Sequence, residues 1–255
     1  MSKSMGMVAV WFSSGAASAV AAYKTLEQYG STHEIRIVNN PVAEEDSDNI
    51  RFLNDVGAWL GVEIETASNP NYPTNSAVDV WDKRKYMAGV SGAPCTLELK
   101  KNARYIWEKE NKPDFHVLGF TLEERNRHER FIQTERSNVL PVLIDLKITK
   151  ADCYQILLSE GIKLPRVYSQ GYPNANCIGC VKATSPTYWN HVRNQNEEVF
   201  NHRAKQSREL GAKLVRHKGQ RIFLDELPTT ARGRPMKNMD FECGIFCEER
   251  FDDKK

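Results

Sequence analysis

The residues best suited to chemistry in this 255-residue chain are its cysteines. Two pairs stand out by their spacing: two residues separate Cys177 from Cys180, and three separate Cys243 from Cys247. Thiolates at such spacings can reach one metal ion, and four of them would be typical of structural zinc. Cys95 is a further candidate, because it lies between a Gly-Ala-Pro turn and a helical pattern, where a thiolate is stabilised.

A second candidate site is the run of small residues Ser13-Ser-Gly-Ala-Ala-Ser18. Residues 7–12 before it are apolar β-formers, and the Ala-rich pattern after it is helical. This predicts a strand, a tight turn and a helix N-terminus. The first backbone N–H groups of a helix lack intrahelical partners and point towards the turn, so phosphate can bind there without a charged side chain. The serine hydroxyls can add donors.

The elements that position these residues follow from hydrophobic periodicity and turn signals. Further strands are predicted at residues 34–38, 62–66, 115–119 and 139–145. Helices alternate with them, which predicts a parallel, twisted α/β sheet of about five strands with helices on both faces. Its crossovers should be right-handed, and a ligand should lie at the carboxyl ends of the strands. The apolar face of the second helix is predicted to contain Ile50, Leu53, Val56 and Leu60.

Three features outside these strands are also predicted. Residues 69–91 read as a long polar loop with a short helix around 80–87, and loops of this length usually serve a site. Thr149 and Asp152 form a capping box for a helix that ends at Gly161, with Cys153 as a structural residue behind it. Residues 213–224, with Lys218-Gly219 at their middle, predict a hairpin.

The net charge of +2 is unevenly distributed. Between residues 202 and 237 there are ten Lys or Arg and three acids, which leaves the rest of the chain at −5. This segment is either a solvated face or a nucleic-acid-binding surface. The N-terminal apolar run is cut after about six residues, short of the ~7–15 of a signal peptide, and no run approaches the ~20 of a membrane span. A cytoplasmic protein without membrane contact is therefore expected, with cysteines as thiols.

These motifs resemble those of one family. The turn at residues 13–18 resembles the S-G-G-x-D-S PP-loop of ATP pyrophosphatases, with Ser14 in place of the first Gly and Ala17 in place of the Asp. The loss of the Asp is typical of the branch similar to phosphoadenylyl-sulfate (PAPS) reductases. The resemblance implies a nucleotide site that consists of Ser13, Ser14, Gly15, Ala16, Ser18 and Gly119.

The cysteines extend the resemblance to adenylyl-sulfate (APS) reductases. The segment Gly171-Tyr-Pro-Asn-Ala-Asn-Cys-Ile-Gly-Cys180 is similar to their cluster motif, and Cys95 precedes Cys177 by 82 residues, close to the family's upstream Cys-Cys pair. Pro94 replaces one cysteine of that pair, so Cys247 becomes the candidate for the remaining ligand. The resemblance thus implies a [4Fe–4S] cluster held by Cys95, Cys177, Cys180 and Cys247, with zinc as the alternative.

The C-terminal tail and the basic residues complete the implied site. Glu242-Cys243-Gly244-Ile245 resembles the catalytic tail of the reductases, which implies catalytic roles for Glu242 and Cys243, although Phe246 replaces the histidine that follows. Lys100, Arg125 and Arg130 are implied to contact substrate phosphate or sulfate. For the charged segment 121–130, a solvated helix face is the alternative.

The departures favour a relative of the reductases. The resulting hypothesis is an ATP pyrophosphatase-like sulfur-transfer enzyme that uses ATP and Mg²⁺ to activate a nucleic acid, DNA rather than RNA, with DNA phosphorothioation as the pathway. A sulfur donor such as a cysteine desulfurase and a homodimer are further expectations. A thiol-dependent APS or PAPS reductase and a catalytically silent nucleotide-binding module are the alternatives. The expected division is a nucleotide-binding α/β domain at residues 1–168 and a small cysteine-containing basic subdomain at 169–255.

Overall fold

The computed structural model describes residues 6–89 and 92–236. These residues fall into two compact units that interleave along the chain. Among the described residues, the sheet unit comprises 6–41, 47–68 and 103–166, and the cysteine unit comprises 42–46, 69–89, 92–102 and 167–236. In the described residues, no helix is both long and apolar enough to cross a membrane.

The sheet unit is built on five parallel strands. They are β1 (Met7–Trp11), β2 (Glu34–Asn39), β3 (Ile64–Thr66), β4 (Phe115–Val117) and β5 (Val139–Leu140). Their order in the sheet is β3-β2-β1-β4-β5. β1 is aligned with β2 from Met7 opposite Glu34 to Trp11 opposite Val38, and with β4 at residues 8–10. The predicted parallel α/β sheet with helices on both faces is confirmed.

The helices contribute further core residues to both units. They are α1 (Ala16–Tyr29), α2 (Asp48–Leu60), α3 (Ala77–Arg84), α4 (Ala103–Asn111), α5 (Arg125–Thr134), α6 (Val142–Asp145), α7 (Lys150–Ser159), α8 (Arg166–Ser169), α9 (Pro186–Gln195) and α10 (Glu197–Glu209). A π-helical turn at Thr96–Asn102 precedes α4, and 3₁₀ turns lie at Leu122–Glu124 and Leu224–Glu226.

The sheet order places a switch point between β1 and β4. The chain leaves β1 towards one edge of the sheet and returns to β4 on the other side of β1, so the connections at the carboxyl ends of these strands diverge. Such a crevice is where ligands bind in open α/β sheets. The Ser13 turn follows β1 and Gly119 follows β4, so both lie at this crevice.

Two sequence predictions in the sheet unit were wrong in detail. The fifth strand was expected over residues 139–145, but it ends at Leu140 and α6 begins at Val142. Pro141 lies between them and has no N–H to continue the ladder. In α2, Ile50 is 67% exposed, whereas Phe52 is fully buried and packs against Phe12 with ring centroids 6.0 Å apart. The larger aromatic ring thus decides which face is buried.

Other local predictions are confirmed. Thr149 accepts a hydrogen bond from the backbone N–H of Asp152 and caps α7, which ends before Gly161 at φ +75°. The helix within the long loop forms as α3, slightly earlier than predicted, because Ser76 caps it. The predicted hairpin consists of β6 (Val215–His217) and β7 (Gln220–Ile222), which pair antiparallel.

The cysteine unit has its own hydrophobic core. Buried side chains from α3, α9, α10 and the hairpin contribute to it, among them Trp81, Tyr188, Trp189, Phe200, Leu214 and Val215. The partly buried Cys95 and Cys177 pack against this core. Both candidate metal ligands therefore belong to the same packed unit.

Candidate functional site

The turn after β1 combines a residue in the left-handed conformation with the N-terminus of α1. Ser14 is 2% exposed and adopts φ +56°, the left-handed region that glycine tolerates best. This is the position at which the PP-loop has its first glycine. Gly15 is the N-cap of α1 in extended conformation, and it has no side chain with which to cap the helix. The first turn of α1 contains no acidic residue, so no fixed negative charge opposes a phosphate there.

Hydrogen bonds within the turn hold this conformation. Ser18 Oγ donates to Gly15 O at 2.9 Å and accepts from the Ser13 backbone N–H at 3.1 Å. Asn39, at the end of β2, donates through Nδ2 to Phe12 O at 2.8 Å. It also donates, at 3.4 Å, to Ser14 Oγ. The hydroxyls of Ser14 and Ser18 thus stabilise the turn. The Ser13 residue is exposed, and its Oγ lies 3.2 Å from Ser18 Oγ, within hydrogen-bond distance.

Asn39 was not identified as a site residue from the sequence. It is 4% exposed and donates hydrogen bonds to Phe12, just before the turn, and to Ser14 within it. The available signal was its position: a buried amide at the carboxyl end of the strand beside β1 lies next to the turn.

Gly119 contacts the other side of the turn. A Cβ added at this position would lie 2.7 Å from Ser18 N, 2.9 Å from Ala17 C and 3.0 Å from Ser18 Cα. These are backbone atoms of the first turn of α1, which cannot move aside as a flexible side chain could. Gly119 is therefore required for the close approach of the β4 loop to the helix N-terminus. Ser13, Ser14, Gly15, Ala16, Ser18 and Gly119 are brought together at one crevice.

The three basic residues expected at substrate phosphate differ in their surroundings. Arg125 and Arg130 lie on α5 and are exposed, so both the solvated-face and the phosphate interpretations remain open. Lys100 is 5% exposed, and its Nζ lies 3.0 Å from Glu45 Oε1. A substrate role for Lys100 would require this buried ion pair to open.

The Cys177-Ile-Gly-Cys180 loop is held by one aromatic residue of α9. The backbone N–H of Cys180 donates to the Tyr188 hydroxyl at 2.9 Å, and that hydroxyl donates to Cys177 O at 3.4 Å. Burial raises the pKa of Tyr188 well above its usual value, so the hydroxyl stays protonated as a donor. Cys180 is buried and Cys177 is partly exposed beside a shallow pocket. We refer to residues 177–180 with Tyr188 as the cysteine loop.

The described part of the cysteine unit does not complete a metal site. Within residues 6–89 and 92–236, no three His, Cys, Asp or Glu side chains lie close enough together to hold one metal ion. Cys247, the fourth expected ligand, lies outside the described residues, as do Glu242 and Cys243. The ligand set therefore stays a prediction, with Cys177 and Cys180 as its locally ordered part.

Cys153 is separated from this chemistry. It is fully buried in α7 of the sheet unit, and burial raises its pKa to about 12. A thiol in that environment stays protonated at neutral pH and is inert. This agrees with the structural role predicted for it.

In the described part of the basic segment, some cationic side chains form ion pairs with carboxylates and others do not. Its three acids are used locally: Glu209 lies 3.9 Å from Lys205, and Asp225 and Glu226 each lie 2.8 Å from Arg208. The exposed cations that pair with no carboxylate in the described part of the chain cluster on the hairpin and after it: Lys213, Arg216, Lys218, Arg221, Arg232 and Arg234.

Two of these cations face each other across the hairpin. Arg216 and Arg221 are directly opposite in the register of β6 and β7, and both are exposed. Like charges opposite each other destabilise a strand pair by themselves. Arg221 directs one N–H to Leu214 O at 2.9 Å, which leaves most donors of both guanidinium groups available to an anion.

No protein-family model matches the sequence, and no curated protein matches it. Solved structures that match include the U34-tRNA thiolase NcsA from Methanococcus maripaludis with its [4Fe-4S] cluster. The alignment covers 80% of this chain and 66% of that chain, with 16% sequence identity and a TM-score of 0.46. The chain thus spans about two thirds of the length of that protein.

Proposed function

We propose that this protein is an ATP-dependent sulfur-transfer enzyme of the PP-loop kind that acts on nucleic acid. The observation that carries the proposal is the turn at residues 13–18, which places the N-terminus of α1, with a glycine as its N-cap, at the switch point of a parallel sheet. That arrangement suits the phosphates of a nucleotide. Mg²⁺ would offset the charge of the triphosphate.

The proposed reaction has two steps. An oxygen of the substrate attacks the α-phosphorus of ATP and releases pyrophosphate, which leaves an adenylated intermediate. A sulfur nucleophile then displaces AMP, which departs with the attacking oxygen, so that sulfur replaces oxygen in the substrate. Sulfur suits the second step because it is a strong nucleophile at neutral pH.

The turn itself contributes binding and orientation to the first step. Its backbone N–H groups fix the phosphates without a mobile side chain, and the hydrogen bonds of Ser18 and Asn39 hold the cradle before the nucleotide arrives. Ala17 stands where the related loops have an acid, so this chain supplies no carboxylate there. That replacement is the feature that favours the alternative of a silent nucleotide-binding module.

The nucleic-acid part of the proposal is supported by the hairpin. Six exposed cations have no carboxylate partner in the described residues, and two of them lie directly opposite each other across β6 and β7, which would suit a phosphate backbone. We propose DNA as the preferred substrate and phosphorothioation as the reaction on it, with RNA as the alternative. A cysteine desulfurase is the proposed type of sulfur donor, and the protein is proposed to act in the cytoplasm, as a homodimer.

The cysteines are proposed to hold a [4Fe–4S] cluster through Cys95, Cys177, Cys180 and Cys247, with Cys243 as the reactive thiol beside Glu242. Thiolates are the usual ligands of such clusters. Zinc bound by the same thiolates is the alternative. When bound, the cluster would supply a thiolate-ligated, redox-active centre.

The test is to incubate purified protein with ATP and measure AMP and pyrophosphate, with and without DNA or RNA. Stimulation by DNA supports the leading proposal, and stimulation by RNA redirects it to a tRNA substrate. Nucleotide binding without pyrophosphate release supports the silent module. Thiol-dependent release of sulfite from APS or PAPS supports the reductase.

A matched variant keeps this test specific to the turn. Gly15 has φ −106° and ψ 156°, which any residue adopts, so Gly15→Leu is expected to preserve the fold while its side chain fills the phosphate position. Unchanged ATP binding by Gly15→Leu would contradict the site. Gly161→Ala is the control, because it strains a left-handed residue in open space at the end of α7 and leaves the turn untouched.

A further inference from the structure

The buried side chain of Arg203 is the least expected feature of the cysteine unit. It lies in α10 and is 3% exposed. One terminal nitrogen donates to Gln206 Oε1, and the guanidinium carbon lies 4.4 Å from the centroid of the Trp81 ring. Its Nε, also buried, has no hydrogen-bond partner. A guanidinium cannot lose its charge in proteins, so this positive charge is buried with little compensation.

Arg203 lies directly against the cysteine loop. A Cβ added at Gly179 would be 3.7 Å from Arg203 Nε and 2.9 Å from Val199 Cγ1. Gly179 has φ +71°, so both its conformation and its neighbours exclude a side chain. The glycine between the two cysteines therefore allows the backbone of the loop to approach the guanidinium.

The ionisable groups that act on Arg203 are Glu44, Cys177, Tyr188 and Cys180. The Tyr188 hydroxyl is already engaged with the loop backbone, since it accepts from the N–H of Cys180 and donates to Cys177 O. The carboxylate of Glu44 already caps α3: it accepts from Ser76 Oγ at 2.7 Å and from the backbone N–H of Ala77 at 2.8 Å. Arg203 forms no ion pair with a carboxylate in the described ranges. Glu44 is the strongest favourable charge near Arg203 but forms no ion pair with it, so the two cysteine sulfurs, which flank Gly179, are further candidates for its counter-charge.

We infer that Arg203 is the positioning residue of the cysteine loop, a buried cation that compensates the negative charge held by the thiolates of Cys177 and Cys180. The inference depends on the proposed function only where the anion is identified as an iron–sulfur cluster. Zinc held by thiolates, or the thiolates alone, would present the same anionic chemistry. A buried cation of this kind stabilises the anionic centre and raises its reduction potential if the centre is redox-active.

Removing one partner of a buried charge pair is costly because it leaves the other uncompensated. Arg203→Met keeps most of the stem and removes the charge, whereas Arg203→Lys keeps a charge without the planar group. Thermal unfolding of both variants is compared in the parent chain and in the Cys177→Ser/Cys180→Ser background. We expect Arg203→Met to lower Tm in the parent chain, and to leave it unchanged or raise it in the double-serine background.

A purely structural role predicts a different pattern. If Arg203 serves only by stacking on Trp81 and bonding to Gln206, Arg203→Met lowers Tm equally in both backgrounds, and the inference is overturned. Arg208→Met is the control on the same helix, since Arg208 is exposed and pairs with Asp225 and Glu226. Its effect should not depend on the cysteines.

Metal binding separates this inference from the proposed cluster. Each chain is reconstituted anaerobically with Fe²⁺ and sulfide, or with Zn²⁺ alone. Arg203→Met should weaken retention of the bound metal by about tenfold or more, with partial rescue in Arg203→Lys. For a bound iron–sulfur cluster, the reduction potential should shift to more negative values in Arg203→Met. Unchanged affinity and potential would contradict the inference.

If the parent chain retains neither metal, the proposed cluster fails, and the Tm comparison alone decides the role of Arg203. If the parent binds iron but Arg203 shows no coupling to the cysteines, the cluster stands and the inference fails. The two failures are therefore distinguishable.

Discussion

The turn at residues 13–18 of the sheet unit and the cysteine loop of the cysteine unit differ in their electrostatics. The turn contains backbone N–H groups and neutral hydroxyls. The hydrogen bonds that hold it join residues 12–18 and Asn39 to one another. The cysteine loop lies against a permanent positive charge, Arg203, whose Nε is unsatisfied. A site made of backbone dipoles can be complete before its ligand arrives, whereas a buried ion needs its counter-ion.

Because of this difference, the two sites should tolerate different kinds of substitution. Changes in the turn should act through close contacts and backbone conformation, because no side-chain charge is involved. Changes in the cysteine loop should act through charge and ligand count.

The largest expected effect is on bound metal. Cys177→Ala should abolish the iron and acid-labile sulfide of anaerobically purified protein, because an alanine cannot ligate iron. Cys153→Ala is the matched control: its thiol is buried in the sheet unit with a pKa raised to about 12, so iron content should be unchanged. Colourless parent protein with one zinc and no iron would instead support the zinc alternative.

The next effect is on nucleotide binding. Gly119→Ala places a Cβ 2.7 Å from Ser18 N, and the first turn of α1 must shift to accommodate it. We expect at least about tenfold weaker ATP binding by calorimetry, since displaced phosphate donors lose about 1.4 kcal/mol or more. Unchanged binding would show that phosphates do not contact this turn. Gly161→Ala should lower stability without changing ATP affinity.

A third prediction concerns the hairpin. Arg216→Glu/Arg221→Glu should weaken binding to DNA and RNA and reduce the slope of log affinity against log salt by about two. ATP binding should not change. The control reverses two exposed charges of the sheet unit, Lys109→Glu/Lys112→Glu, and so makes the same change in net charge. Equal weakening by both pairs would contradict a specific role for the hairpin and indicate a nonspecific effect of net charge.

The sheet and the turn could be predicted from the sequence because both depend on local patterns. Apolar strands alternate with helices, and a run of small residues follows β1. The failures arose where tertiary packing decided between local options. Phe52 rather than Ile50 faces the core, and Pro141 ends the fifth strand early. Periodicity alone does not distinguish the larger of two apolar faces.

The surroundings of the cysteine loop could not be predicted in the same way. The spacing of Cys177 and Cys180 suggested ligands, but Arg203 was counted only as one cation of a basic segment. Its burial depends on Gly179 and Trp81, which lie far from it in sequence. The glycine at position 179 is the one signal for this contact. It adopts a positive φ, and a glycine between two cysteines permits the close approach of another group.

A smaller effect concerns a partly exposed ion pair of the sheet unit, in contrast to the buried Arg203. Hydrogen bonds from Arg51, together with the backbone N–H of Arg166, lower the pKa of Asp48 to about 2. This stabilisation is complete above the unfolded pKa of 3.8 and is lost as pH falls towards 2. Asp48→Asn should therefore lower the free energy of unfolding by about 1–2 kcal/mol at pH 7, as measured by chemical unfolding. A cost that does not shrink on acidification would contradict this assignment.

The smallest effect is expected at Ser14. This residue adopts φ +56° and, unlike glycine, has a side chain. Ser14→Gly removes the strain of the left-handed conformation, but it also loses the 3.4 Å hydrogen bond from Asn39 and gains entropy in the unfolded chain. The free energy of unfolding should therefore change by no more than about 1 kcal/mol. Ser14→Val should be clearly less stable, because a β-branched residue is strained at positive φ. ATP binding should persist in Ser14→Gly, since the backbone forms the cradle. A loss of ATP affinity as large as that of Gly15→Leu would show that the Ser14 hydroxyl is itself a phosphate ligand.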